Sequence, residues 1–336
     1  MYLLSDNHEI KDIEETTFSE IGYKECHLEE LIRKNINIIC DDDESIFIVG
    51  QQVTNEKKAR SDLTAIDNEG NLVLIEIKRD KIDIEHRKEP LEFQAIRYAA
   101  SCATIDSIDK LVTYVFQPYV EKHKIEFSND SGKHPNFTEI ALQRIKDFLN
   151  ENEIDQKKFN RSQRIILIAS EFDEQTLSAV AWLNNNNVKI SCFEIKPYKT
   201  HDEKIILDVK KVLPISEYSD FYIPIQNQLI GGNASKSSIK RKKRLNIDDL
   251  LRLNLIEPNT VLIDTRMGKK ATLQSDGDVK IYDTGEIQSI QNWLKSIYNW
   301  ASVQSFKFLK VEKTNKLLLD IRDEYYKSMN NAQNQD

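Results

Sequence analysis

The sequence predicts an α/β chain: a mixed sheet flanked by helices, followed by a small α+β unit. Three observations point there. Apolar, strand-like runs alternate with amphipathic helical runs between residues 45 and 195. Two of the strands, in "SDLTAIDNEGNLVLIEIKRD" (Ser61–Asp80), are joined by a turn signal, Asn68-Glu69-Gly70. After about Tyr222 the composition shifts to "QNQLIGGNASKSSIKRKKR" (Gln226–Arg244), glycine- and serine-containing and then basic, a flexible linker by composition. The expected division is therefore 1–225, a 226–244 linker, a second unit over 245–328, and a 329–336 tail with nothing to bury.

The elements follow in order. The segment up to Gly22 is polar and weakly patterned. In "KECHLEELIRKN" (Lys24–Asn35), Leu28, Leu31 and Ile32 recur at helical spacing. "SIFIVGQQV" (Ser45–Val53) reads as a strand, and the Ser61–Lys78 hairpin follows. Pro90 is well placed to start a helix through Ala103. "KLVTYVFQ" fits a strand or a helix end. The charged 118–160 stretch holds an amphipathic helix, "TEIALQRIKDFLNEN", as an insertion. "RIILIAS" (Arg164–Ser170) is a buried strand, "DEQTLSAVAWLNNNN" a helix, and "VKISCFEI" (Val188–Ile195) another strand. Beyond Leu245, a short capped helix and a strand lead into short strands "KKATLQ" and "GDVKIY". A helix holding Trp293 and Trp300, and a final helix in "TNKLLLDIRDEYYKS", close the second unit.

Composition excludes several classes. The chain has 336 residues, 40% hydrophobic and 30% charged, enough for about two globular domains. No run of eighteen apolar residues is present, so no membrane span is expected. "MYLLSDNHEIKDIEE" is not a secretory signal. The four cysteines, Cys26, Cys40, Cys102 and Cys192, form no CxxC pair. They read as reduced thiols of a cytoplasmic protein without a zinc site. The net charge of −8 argues against non-specific nucleic-acid binding by the whole surface but leaves room for a local basic cleft.

The hairpin carries the chemistry. A three-residue Asn68-Glu69-Gly70 loop, with Gly70 left-handed, pairs Asp67 with Asn71. Counting back sets Thr64 opposite Leu74 and Asp62 opposite Glu76, so Asp62, Glu76 and Lys78 share one face. A two-residue loop would put Asp62 on the other face. Two such carboxylates repel each other and lose solvation unless a divalent cation lies between them. Mg²⁺ or Mn²⁺ suits hard oxygen ligands, and the Ile77 carbonyl is a further candidate. Lys78 would orient or deprotonate a water, or stabilise charge on phosphorus. Gln94 and Tyr98 lie one helical turn apart and can face the same cleft. The competing reading is a solvated strand end with a polar pair on a helix edge.

These residues resemble the PD-(D/E)xK nuclease superfamily, and within it the NucS-like (DUF91-type) endonuclease domain. The resemblance runs through "ECHLEELIRKN", "VGQQV", the hairpin, "FQAIRYAA", "RIILIASEFDEQTLSAVAWLNNNNVKISCFEIKPY" and "VLPISEY", covering roughly Tyr23 to Tyr222. It implies a restriction-endonuclease-like fold, with Asp62 and Glu76 as metal ligands and Lys78 as the catalytic lysine. It further implies that Glu25, on the first helix, helps bind metal or water. Gln52 matches a position that often holds Glu or Gln and is a candidate DNA contact. Gln94 and Tyr98 match a Q…Y pair, and Arg79 matches an arginine that touches phosphate. Ser61 departs from the family, which often has Ile there, at a position that is not a ligand.

The second unit resembles the RAMA domain found beside restriction enzymes and adenine methylases, through a short helix with "LNLIEPNTVL", two short strands, an "IQSIQNWLKSIYN" helix and an aromatic "FKFLKV" strand. "SIQNWL" departs from the Ser-Pro-Ser-type start usual there. The resemblance implies a DNA-reading unit, with modified bases among its candidate targets. Trp293, Trp300 and Phe306 are candidates for base stacking, with burial in the core as the competing reading. Lys240, Arg241, Lys242, Lys243 and Arg244 can contact phosphates or form a solvated tether. The expectation is a Mg²⁺- or Mn²⁺-dependent endodeoxyribonuclease of bacterial defence, restriction or repair, with DNA as its partner and a homodimer admissible. Two rivals are a nucleic-acid-binding module whose nuclease core is silent or awaits a partner, and an RNA or structure-specific nuclease.

Overall fold

The computed structural model describes residues 2–4, 10–41, 43–56, 60–85, 89–127, 136–214 and 245–333. The chain divides into two compact units, Met1–Ile39 with Ile48–Lys240, and Cys40–Phe47 with Arg241–Asp336. The linker 226–244, with Lys240 to Arg244, lies outside the described residues.

The N-terminal unit opens with β1 (Tyr2–Leu4) and β2 (Ile10–Asp12), an antiparallel pair, and β3 (Glu14–Glu15). Next come α1 (Glu25–Lys34), β4 (Ile46–Gln51), β5 (Leu63–Asp67) and β6 (Leu72–Ile77). The crossover to β7 (Arg164–Ala169) runs through α2 (Lys81–Glu85), α3 (Leu91–Cys102), α4 (Ile108–Leu111), α5 (Gln117–Lys122) and α6 (Phe137–Glu151). α7 (Glu174–Asn185), β8 (Lys189–Lys199) and β9 (Ile205–Leu213) complete the unit. The seven-stranded sheet has the order β3-β8-β7-β6-β5-β4, with β9 pairing β8. It is mixed: β6, β7 and β8 run parallel, while β5/β6 and β8/β9 are antiparallel. Parallel neighbours require crossovers, and the helical segments supply them. Every residue of β5 and β6 is buried, as runs covered on both faces should be. One side packs Leu74 and Leu167 against Leu91 and Ala95 of α3 and Val180 of α7.

The ambiguous "KLVTYVFQ" stretch is helical: Val112–Phe116 forms a π-type turn joining α4 to α5. On α1, buried Arg33 bonds Glu30 (2.7 Å), Glu126 (2.6 Å) and the Tyr119 hydroxyl (2.7 Å). These partners satisfy a guanidinium that burial would otherwise leave unpaired.

The C-terminal unit contains α8 (Ile247–Arg252), β10 (Val261–Asp264), β11 (Lys270–Leu273), β12 (Val279–Ile281) and β13 (Ile287–Gln288). It continues with α9 (Ile290–Tyr298), α10 (Ser305–Phe308), β14 (Leu309–Val311) and α11 (Leu318–Gln333). Its five-stranded sheet, β13-β12-β11-β10-β14, is antiparallel throughout. Asn246 caps α8, and its partner in the capping box is Asp249. α9 stops at left-handed Asn299, so Trp300 lies beyond the helix expected to hold it. "FKFLKV" is not one strand: its first residues form α10 and the rest β14. The expected tail is also shorter, because α11 runs on to Gln333.

Candidate active site

The hairpin register is the one that brings the carboxylates together. Leu63 pairs with Ile75, Thr64 with Leu74 and Ala65 with Val73, which continues to Asp62 opposite Glu76. Gly70 has φ +83°, its N–H bonds the Asp67 carbonyl (2.9 Å), and the Asp67 N–H bonds the Asn71 carbonyl (3.0 Å). The Asp62 carbonyl accepts the Gln52 N–H (2.8 Å), so its backbone faces β4. Asp62 and Glu76 therefore form a pair without mutual backbone hydrogen bonds, the type whose side chains approach most closely.

Both carboxylates are buried, Glu76 completely and Asp62 at 7% exposure. Asp62 Oδ2 accepts the Ile77 N–H (2.7 Å), and Glu76 Oε2 accepts from Gln94 Nε2 (3.1 Å). Glu76 Oε1 is buried without a hydrogen-bond partner. Burial, and then the charge of Asp62, push the Glu76 carboxyl up to about 9. Burial also raises Asp62, against the opposing pull of the Lys78 charge. Lys78 behaves oppositely. Burial would lower its pKa, but Asp62 and Glu25 outweigh that and hold the amine above its ordinary value. It is an ammonium at neutral pH, a hydrogen-bond donor rather than a resting base.

Glu25 is half-exposed, and its Oε1 accepts from Lys78 Nζ at 2.7 Å. The expectation that Glu25 joins the metal ligands thus meets a competitor, since this carboxylate is engaged by the ammonium. One turn further along α1, Glu29 is 3% exposed. Burial raises its pKa, and the hydrogen bond from Gln52 opposes the rise. Gln52, left-handed at φ +57°, donates Nε2 to Glu29 Oε1 (3.3 Å) and Oε2 (3.1 Å). The charge of Glu29 acts on Asp62, so Glu29 belongs to the cluster that sequence reasoning missed. Its i+4 spacing from Glu25 was the available signal.

Two further candidates point elsewhere. The Tyr98 hydroxyl accepts the Arg60 N–H (3.0 Å), holding the chain as it enters Ser61 and Asp62. Arg79 bonds Asp83 (3.1 Å), Asp80 (3.2 Å) and the Tyr23 carbonyl (3.2 Å), so its guanidinium is engaged within the protein rather than open to phosphate.

Among the described residues, no group of three or more His, Cys, Asp or Glu side chains is arranged to hold a metal ion. The donors that fit a hard cation are the Asp62–Glu76 pair, with the orphaned Glu76 oxygen, and the Ile77 carbonyl. The Ile77 N–H points to Asp62, and within a strand a residue's carbonyl points the same way as its N–H. Two carboxylates and a carbonyl, completed by water and phosphate oxygens, match Mg²⁺.

Residues 230–331 match the RAMA family, Restriction Enzyme Adenine Methylase Associated. The C-terminal unit is thus RAMA-like. Comparisons with curated proteins and with solved structures returned no match. Within the RAMA-like unit, Trp293 is 1% and Trp300 5% exposed, which contradicts their assignment as base-stacking platforms. Trp300 lies 5.0 Å from the Tyr298 ring and 5.6 Å from Phe308, and Phe306 is 1% exposed under Arg322 (4.3 Å). These rings belong to the core, buried with Leu262, Leu273, Leu294 and Leu309. No described helix is long and apolar enough to cross a membrane.

Proposed function

We propose that the N-terminal unit is a metal-dependent endonuclease that hydrolyses DNA phosphodiester bonds, and that the RAMA-like unit selects the DNA. The observation that carries this reading is a buried, directly opposed Asp62–Glu76 pair with one orphaned oxygen and an ammonium beside it. A Mg²⁺ or Mn²⁺ ion held by Asp62, Glu76 and the Ile77 carbonyl would supply an activated water and a Lewis acid for the phosphoryl oxygen. The chain's own residues do the rest. The Ile77 N–H fixes Asp62, and Gln94 fixes Glu76. Lys78 donates to the phosphate or to the attacking water and balances charge as it builds on phosphorus. Tyr98 sets the strand entry that carries Asp62. The resemblance to PD-(D/E)xK nucleases agrees with this division of labour. The RAMA match favours restriction or antiviral defence as the setting, with DNA repair as the other.

The test is nicking of plasmid, single-stranded and base-modified DNA with Mg²⁺ or Mn²⁺, wild type beside Lys78→Ala. Metal-dependent nicking, lowered at least a hundredfold in the variant, is expected. A second reading, a binding module whose core is silent or needs a partner, is favoured by the Lys78–Glu25 ion pair, which occupies the ammonium at 2.7 Å. DNA binding without cleavage on any substrate, unchanged in Lys78→Ala, would establish that reading.

A further inference from the structure

We propose that the solvent face of the C-terminal sheet, which carries Tyr282, Lys270, Lys280 and Lys310, binds unpaired nucleotides of a DNA strand. This deepens, and rests on, the reading that the RAMA-like unit selects DNA.

The register defines the face. Leu262, Ala271, Leu273, Val279, Ile281, Leu309 and Val311 alternate onto the buried side of the sheet. Their neighbours must then lie on the other side. Lys310 is opposite Ile263, Ile263 is opposite Lys270, and Lys280 is opposite both Thr272 and Ile287. Tyr282 follows Lys280 by two residues, and its N–H bonds the Lys270 carbonyl (3.1 Å). Lys270 reaches Glu312 at 2.6 Å, which places that carboxylate on the same side. Tyr282 is 57% and Ile287 60% exposed, so the face is open and partly apolar.

Charge chooses the occupant. The face presents Lys270, Lys280 and Lys310 against Glu312 and Asp278, a net positive charge in a chain whose net charge is −8. Asp283, in the adjoining turn, is neutralised by Lys269 (3.2 Å). A basic, pleated surface carrying one exposed aromatic ring suits a polyanion with flat apolar groups. A base can stack on a sheet-borne ring only when it is out of its own duplex stack. Tyr282 stands beside Lys280 at one side of the face, and Lys310 lies three strands away from both, ~14 Å at the usual inter-strand spacing, so a strand stacked on the ring can run across the face to it. The occupant is therefore a single-stranded or locally opened segment. Buried Trp293 and Trp300 serve as the foundation of the platform rather than as its surface.

The test uses the full chain in EDTA, with fluorescence anisotropy of labelled single-stranded and duplex oligonucleotides over a salt series. Tighter binding of the single strand is expected. Tyr282→Ala should weaken it roughly five- to a hundredfold, with Tyr282→Phe close to wild type. Lys280→Glu with Lys310→Glu should reduce the salt slope by at least about 1.4, the value for two lost phosphate contacts on a single strand. Thermal melts confirm that each variant is folded. Unchanged binding in the folded Tyr282→Ala and double-lysine variants overturns the platform, as does a preference for duplex or a switch in oligomeric state. Metal-dependent nicking abolished by Lys78→Ala would stand even then. Tyr282-dependent binding without nicking would instead remove only the nuclease reading.

Discussion

The Glu76 carboxyl illustrates what a single buried group does to the molecule around it. Its folded pKa, raised to about 9, lies above its unfolded value, so the folded state binds the proton more tightly. Stability must then fall as pH rises from about 4.5 toward 9, because the unfolded chain releases that proton first. In EDTA, the melting temperature of wild type is expected to decline across pH 5 to 9. Added Mg²⁺ should recover more of it at the alkaline end, where the carboxylate is free to bind. Glu76→Gln should flatten the pH profile and remove the Mg²⁺ response, and differential scanning fluorimetry reads both. An Mg²⁺ response that survives in the variant would mean that the cation binds elsewhere. Glu29 obeys the same physics, and its spacing of four from Glu25 was the one sign of it in the sequence. On a sequence, an acid on an amphipathic helix looks solvated, and its burial beside Gln52, which follows β4, comes from the tertiary fold.

At the scale of elements, the β5–β6 turn decides whether there is a site at all. A slip of one residue would carry Asp62 to the opposite face. Gly70 holds the register through its left-handed backbone, and a Cβ there would lie 2.8 Å from Ile154 Cγ2. Gly70→Ala is expected to cost about 1–2 kcal/mol for the backbone alone, and more for the clash with Ile154. Urea denaturation would measure it, and a loss below about 0.5 kcal/mol would show that the turn relaxes. This register was legible in the sequence because one glycine and a period of two suffice to derive it. The helical nature of Lys110–Gln117 was not, since β-branched and aromatic residues there favour a strand locally. Packing of Leu111, Val115, Phe116 and Tyr119 into the core settles it as helix. Tyr98 shows the same limit. Its spacing from Gln94 was readable, but its bond to the Arg60 N–H depends on a chain reversal that the residues alone do not announce.

At the scale of the whole molecule, the chain order and the folding units do not coincide. Cys40–Phe47 belongs to the same compact unit as Arg241–Asp336, although the sequence reading places it within 1–225. The reason lies in specific bonds within that unit. Asp43 bonds Arg322 through both oxygens (2.7 and 2.9 Å), and the Ile46 carbonyl accepts the N–H groups of Ala301 (3.1 Å) and Ser302 (3.0 Å). Ser45 Oγ accepts the Gln304 N–H at 2.9 Å. The Arg322 side chain is only 5% exposed and lies on the Phe306 ring at 4.3 Å. The distant acid is its counter-charge, and no local pattern in the sequence could reveal that. Removing Asp43 would leave a buried guanidinium without its carboxylate, the costly half of a broken pair. Asp43→Ala is therefore expected to destabilise the C-terminal unit by about 1.5–3 kcal/mol, the usual range for hydrogen bonds to charged groups. Arg322→Met, which removes the charge but keeps the packing on Phe306, should be milder than Asp43→Ala. The urea transition of Trp293 and Trp300 fluorescence, with Trp182 replaced by Phe, isolates this unit. If Asp43→Ala leaves that transition where it was, residues 40–47 rest on the C-terminal unit without holding it. A shift of the expected size means that a fragment beginning at 241 is not a complete domain, and that any assay of the RAMA-like unit must carry the Cys40–Phe47 segment with it.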